Sequence, residues 1–274
     1  MRLAIVIAVI LWTSCVIKND TIKIKGSDTE VNLAVLLAEH FRAINTKVLV
    51  SVSGGGSGLG IASLLNGNTD IANSSRRIKP AEFCLFQKKN IDIDSFIFAQ
   101  DAIAFVISNE IAIDSISTEN IAKILSGEYQ NWSSITPNQL PISIYGRQSN
   151  SGTYDYVKKK LGIHFSAYAK QMNGNAQIIE AIKADKSGIG YVSAGYVLKG
   201  NATNLKVLKI YKGNSQAVSP LNAKAIASGE YYFQRPLYQY YKKEDYIKIK
   251  DFLDFEKSKV GAHIIQLSGY YPVN

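Results

Sequence analysis

Three short turns concentrate groups able to hold an anion. Gly26-Ser27-Asp28-Thr29-Glu30 follows a strand-like run and opens a helical stretch across residues 31–41. Gly54-Gly55-Gly56-Ser57-Gly58-Leu59-Gly60 follows a Val-rich run at 48–52 and opens a stretch carrying Ile61, Leu64 and Leu65. Arg147-Gln148-Ser149-Asn150-Ser151-Gly152-Thr153 follows residues 142–145 and opens the stretch 154–161. A helix start exposes unpaired backbone N–H groups and the positive end of the dipole. Hydroxyls and glycines placed there let an anion come close and receive many hydrogen bonds. Taken singly, Thr29, Ser57 and Ser151 read better as helix N-caps, and Arg147 can be read as a surface ion pair. Together the turns point to convergence on one anion, with Arg147 supplying a permanent charge and a two-pronged fork.

Other chemistries lack their residues. Ser57-Gly58 is followed by Leu59, not by the Lys-Ser/Thr that ends a Walker loop, and no window reads Gly-x-Gly-x-x-Gly or Gly-x-Ser-x-Gly. The histidines are His40, His164 and His263, in contexts that suit structural roles. With two cysteines and no clustered His/carboxylate pattern, neither a metal nor any other cofactor is expected. A hydrolase built on these turns would need a base or metal that the sequence does not supply. The net charge of +9 suits anionic solutes, but the longest basic run is Lys158-Lys159-Lys160, so no nucleic-acid partner is expected.

The turns need elements to hold them. At 274 residues and 46% hydrophobic composition the chain can build one large core or two smaller ones. Strand patterns fall at 21–25, 47–52, 102–107, 142–145, 189–192, 205–210 and 236–241. Between them lie helical spacings: Val31, Val35, Ala38 and Phe41 on one face; Ile121, Ile124 and Leu125, closed by Gly127; Tyr154, Val157 and Leu161; and Ile178, Ile179 and Ile182. The alternation predicts an α/β architecture with mostly parallel sheets, and no repeat or long linker interrupts it.

The first fifteen residues stand apart. Met1-Arg2 is a short basic start, and the apolar run at 3–12 has the length of a signal-peptide core, too short to span a bilayer. Thr13 and Ser14 lead to Cys15, the pattern of a bacterial lipoprotein signal in which Cys15 carries the lipid, although Trp12 stands where Leu is usual. The alternative is an ordinary signal peptide with an incidental cysteine. With Cys15 lipidated, Cys84 has no disulfide partner; flanked by Phe83, Leu85 and Phe86, it is expected to be a buried apolar residue.

The ordered set of motifs resembles the phosphate-binding proteins that feed bacterial ATP-driven (ABC) phosphate importers. The resemblance runs through Gly26–Thr29 of the first turn, the glycine-rich turn, Asp70-Ile71-Ala72-Asn73-Ser74-Ser75-Arg76, Ile124 through Trp132, Arg147 through Thr153, Gly188-Ile189-Gly190-Tyr191-Val192, Arg235-Pro236-Leu237-Tyr238 and Gly269-Tyr270-Tyr271-Pro272. It implies the two-lobed type II periplasmic-binding fold, two α/β sandwich lobes joined by a double crossover. Lobe I would comprise residues 20–103 with 235–274, and lobe II residues 104–234. It implies phosphate ligands at Thr29, the Glu30 backbone N–H, Ser57, Ser75, Arg147, Ser151, Gly152 and Thr153. It also implies a monomeric, non-enzymatic lipoprotein, held on the membrane by its lipid and facing the periplasm or exterior, that hands its ligand to importer permease subunits. Several members carry Asp where Ser75 stands, a carboxylate that accepts the proton of monohydrogen phosphate and rejects sulfate. A hydroxyl discriminates less sharply, which leaves sulfate, arsenate and molybdate as alternatives, beside a surface lipoprotein with no transport role. Arg76 is expected either as a second charge near the anion or as a surface or interlobe ion pair.

Overall fold

The computed structural model describes residues 20–199 and 204–273; Cys15 and the apolar run before it lie outside them. In chain order the elements are β1 (Asp20–Gly26), a 3-10 turn (Asp28–Glu30), α1 (Val31–Ile44), β2 (Val48–Ser53), α2 (Ser57–Leu65), β3 (Ile71–Ser74), α3 (Pro80–Lys88) and β4 (Ile93–Ser108). There follow β5 (Ser115–Ser117), α4 (Thr118–Ser126), β6 (Ser143–Arg147), α5 (Gly152–Leu161), β7 (Lys170–Met172), α6 (Asn175–Ala184), β8 (Gly188–Ser193) and α7 (Ala194–Lys199). The last third holds β9 (Leu205–Val207), β10 (Lys209–Tyr211), α8 (Ala223–Ala227), β11 (Gln234–Lys242), α9 (Tyr246–Lys257), α10 (Lys259–Leu267) and β12 (Tyr271–Pro272).

The main sheet runs β2-β1-β3-β11-β4-β8-β6-β7, with β9 and β12 also on β4, while β5 and β10 pair apart. It has two halves. In one, β1 pairs in parallel with β2 and β3; in the other, β6 pairs in parallel with β7 and β8. β4 and β11 run antiparallel to their neighbours β3 and β8 and to each other. The sheet is therefore mixed, not mostly parallel: the strands that cross between the halves enter against the local direction. β4 makes this visible in its burial. Its start, Ile93 to Ile97, is half exposed, whereas 101–108 is buried without a break because both faces are covered.

Two larger cores and a satellite fill the halves. One is drawn from residues 102–233, among them Phe105, Trp132, Tyr191 and Phe233. A second takes residues before Ala102 and after Phe233, including Leu37, Phe41, Phe252 and Leu253, and a small third lies around Ile61, Leu64 and Phe86. Each such side chain contributes roughly 1.5–3 kcal/mol by leaving water. Helix ends follow sequence signals: Ser117 accepts the Asn120 N–H at the start of α4, and Gly127, at φ 85°, stops it in the left-handed conformation that glycine adopts freely.

Three further expectations change. α1 buries Leu33, Ala34, Leu37, Ala38 and Phe41 and leaves Val35 exposed, because the run from Leu33 to Ala38 is apolar throughout and packing against β2, α9 and α10 selects the face. Residues 205–210 form two strands, not one; buried Leu208 separates β9 on β4 from β10 on β5. Cys84 is exposed, since α3 turns only Phe86 inward. Among the described residues no helix is long and apolar enough to cross a membrane.

Candidate functional site

The three turns and the end of β3 meet where the halves face one another. At the first turn, β1 ends in Gly26 at φ 145°, where a Cβ would lie 2.1 Å from the Asn73 carbonyl oxygen. The 3-10 turn then presents Thr29, whose Oγ1 lies 3.1 Å from Thr153 Oγ1 on the opposite side. Thr29 caps no helix. The Glu30 N–H donates to the Ser27 carbonyl at 3.2 Å inside this turn, and the Glu30 carboxyl is wholly buried with both oxygens lacking a partner. Burial drives that carboxyl well above its ordinary range, against the pull of the Arg235 charge.

At the second turn Gly56, not Ser57, takes the N-cap position, which places Ser57 as the first residue of α2 and wholly buries it. Its Oγ accepts the Ser75 N–H at 3.1 Å and lies 3.4 Å from Ser75 Oγ, which in turn accepts from Ser27 Oγ at 3.0 Å. Ser151 is a true N-cap, accepting the Thr153 N–H at 3.2 Å, an arrangement that contributes about 1 kcal/mol to α5. Gly152 passes so close to the opposing serines that a Cβ there would sit 2.3 Å from Ser57 Oγ and 2.6 Å from Ser75 Oγ. Ser149 and Gln148 stay exposed.

Arg147, at the end of β6, is 2% exposed. Its Nη2 donates to the Asn173 carbonyl at 2.8 Å, and Nη1 stands 3.3 Å from Asp28 Oδ2, yet Nε and Nη1 have no hydrogen-bond acceptor. Burial pulls its pKa below the ordinary value, with Asp28 opposing; the guanidinium remains charged. Arg76 is different. It forks onto both Glu82 oxygens at 2.6 and 2.8 Å within its own half, and so is neither an interlobe pair nor a free charge for the site.

Sequence reasoning missed Arg235, which carries only a strand motif in the sequence. In the structure it lies buried under the turns. Nε and Nη2 reach Asp101 Oδ2 at 3.0 and 2.9 Å, Nη1 reaches the Ser75 carbonyl at 3.1 Å, and Nη2 reaches Thr29 Oγ1 at 3.2 Å and Thr153 Oγ1 at 3.0 Å. Asp101 Oδ1 accepts from Ser193 at 2.6 Å. An Arg-Pro pair inside a tyrosine-rich strand was the available signal, since a charge in a buried strand demands a partner. Asp28 was also left without a role; its Oδ2 takes the Asn175 N–H at 3.0 Å, and its carbonyl takes Tyr196 Oη at 2.9 Å.

The halves touch on either side of these groups. Asn150 accepts the Gly58 N–H at 3.0 Å and donates to Gly55 at 3.0 Å, and Lys79 pairs with Asp155 at 3.1 Å. From Ser75 and Arg235 a cavity of about 500 Å³ runs outward past Lys79, Asp155, Lys160 and Tyr238. The assembled groups are hydroxyls, N–H donors and guanidinium. His40, His164 and His263 are all exposed, and among the described residues no group of three or more His, Cys, Asp or Glu is placed to hold a metal ion.

A two-lobed α/β fold with donor groups gathered between its halves defines a solute-binding protein. Residues 18–259 match the PBP superfamily domain. The phosphate-binding protein PstS of Borreliella burgdorferi is 30% identical over 260 residues, covering 91% of this chain and 88% of that one. PstS of Staphylococcus saprophyticus is 28% identical over 239 residues, 86% of this chain and 74% of that one. A Clostridium perfringens crystal structure, described as a phosphate ABC transporter substrate-binding protein with bound phosphate, superposes with a TM-score of 0.83 at 23% identity, over 93% of this chain and all of that one. The chain belongs to the PBP superfamily and, within it, to the PstS-like proteins.

Proposed function

We propose that the protein captures inorganic phosphate between its two lobes and delivers it to an ABC importer. The observation that carries this reading is the buried Arg147, with Nε and Nη1 lacking acceptors, in a site where hydroxyls from the opposing turns come together. Lobe I is taken as residues 20–103 with 235–274 and lobe II as 104–234, with β4 and β11 crossing between them. Thr29, Ser57 and Ser75 hold the anion from the first lobe; Arg147, Ser151, Gly152 and Thr153 hold it from the second. At Glu30 the contribution is the backbone N–H, shared with the Ser27 carbonyl. Exclusion of water by the closed lobes strengthens each of these bonds.

In this reading no bond is made or broken. The monomer acts outside the cytoplasmic membrane, tethered through a lipid on Cys15, and the closed form docks on permease subunits that open it. Names borne by relatives support the ligand and the importer setting; the tether rests on the pattern of the first fifteen residues, and the permease contact on the family resemblance. Calorimetry on the full chain tests the central claim. Phosphate should bind one-to-one with release of heat, and absence of any phosphate signal would sink it.

A further inference from the structure

The hydroxyls of the cradle share one property. Each already accepts a hydrogen bond from inside the protein. Thr29 and Thr153 share one N–H of Arg235 Nη2, whose other N–H goes to Asp101; Ser57 accepts from the Ser75 N–H, Ser75 from Ser27 Oγ, and Ser151 from the Thr153 N–H. A hydroxyl has one proton and two lone pairs, so a bond accepted from behind biases the proton forward and leaves a single lone pair to accept from an anion. Thr29 and Thr153 oxygens also lie 3.1 Å apart, so one proton spans them until an anion oxygen takes it.

The remaining groups add donors or are already engaged. Arg147 can only donate. Asp101 spends one oxygen on Ser193 and the other on Arg235; Asp28 Oδ2 is engaged by Asn175 and Arg147, and its Oδ1 lies toward the backbone of Gly54 and Gly174. Glu30 faces Ser27, Arg235, Asp101 and Glu256, and burial holds its carboxyl toward the neutral form.

We propose that Arg235 is a positioning residue: by donating into Thr29 and Thr153 it sets the cradle as an array of donors, so the site selects its anion by charge and tetrahedral shape and not by a proton on the anion. This rests on the oxyanion reading given above and extends it to specificity. Monohydrogen phosphate brings one P–OH that needs an acceptor, while sulfate brings none. A cradle of donors therefore holds both dianions, and it disfavours the phosphate monoanion, which carries a second proton and less charge.

Calorimetry with the full chain at constant ionic strength tests this with phosphate and sulfate as probes. For the unaltered chain at pH 8 the sulfate Kd should fall within about tenfold of the phosphate Kd, and phosphate affinity should rise as pH converts monoanion to dianion. Ser75→Asp, which installs an acceptor and a repelling charge, should move the phosphate-to-sulfate affinity ratio roughly 100-fold toward phosphate, whatever its effect on either affinity alone. Arg235→Lys removes the fork but keeps a charge beside Asp101. It should move the phosphate-to-sulfate affinity ratio about tenfold toward phosphate, because the freed threonine oxygens can accept the P–OH. A residue that merely supported the fold would lower both affinities by one factor, and that result overturns the positioning role. Sulfate binding more than about 1000-fold weaker than phosphate in the unaltered chain overturns the donor-array proposal and leaves phosphate capture standing. Failure of both anions to bind overturns the capture reading itself.

Discussion

Arg147 and Arg76 begin from similar positions, each at or just after the end of a strand beside an anion-binding motif, and each nearly buried at 2% and 7% exposure. They end in opposite states. Arg76 is met by Glu82, which closes a two-pronged pair and also accepts the Lys79 N–H at 2.8 Å, so one carboxylate both neutralises the arginine and pins the start of α3. Arg147 meets only a carbonyl and the edge of Asp28. Burial alone does not mark a ligand. A charge whose donors have no acceptor does, because the desolvation already incurred is recovered only when an anion arrives.

The largest effect should come from removing the unsatisfied charge. Arg147→Ala should weaken phosphate at least about 100-fold in calorimetry, with a Tm loss limited to the Asn173 hydrogen bond and the single Asp28 contact that it breaks. An unchanged Kd would make the two arginines equivalent and end the comparison. Arg76→Ala should do the reverse: a stability loss of about 2 kcal/mol in urea unfolding, toward the low end for a buried pair because Glu82 is 21% exposed, with phosphate affinity within about threefold.

A smaller effect sharpens the comparison from the acidic side. Burial pushes the Glu256 carboxyl from 4.5 up to about 8, with Gln239 as its hydrogen-bond partner. Between those values the unfolded chain has released a proton that the folded chain keeps, so stability should fall as pH rises from about 5 to 8. Glu30 shifts in the same direction and adds to the slope. Glu256→Gln should flatten the Tm-against-pH curve in that window; an unaltered slope would show that Glu256 does not titrate there.

What could be read from the chain was local. Thr29, Ser57, Ser151, Gly152 and Thr153 stand out because turn chemistry is written in consecutive residues, and Arg147 because it opens such a turn. Arg235 was illegible as a site residue because its contact with Thr29 spans 206 positions and depends on β11 entering the sheet beside β4. The buried face of α1 failed for another reason: with Val31, Leu33, Ala34, Val35, Leu36 and Leu37 all apolar, periodicity leaves more than one face open, and the partners decide. Arg76 could not be assigned until α3 was seen to bring Glu82 back to it.

The 16 residues of β4 belong to both halves, and β11 pairs with it from Gln234 through Lys242, with a register shift at Leu237/Tyr238. The joint is therefore woven, not strung. Paired strands resist splaying and allow mainly twist, so a swing of the proposed lobes would run like a door on a leaf hinge, through few states. A peptide tether would have to surrender many conformations each time the door shut; this joint has surrendered them already, when the chain folded.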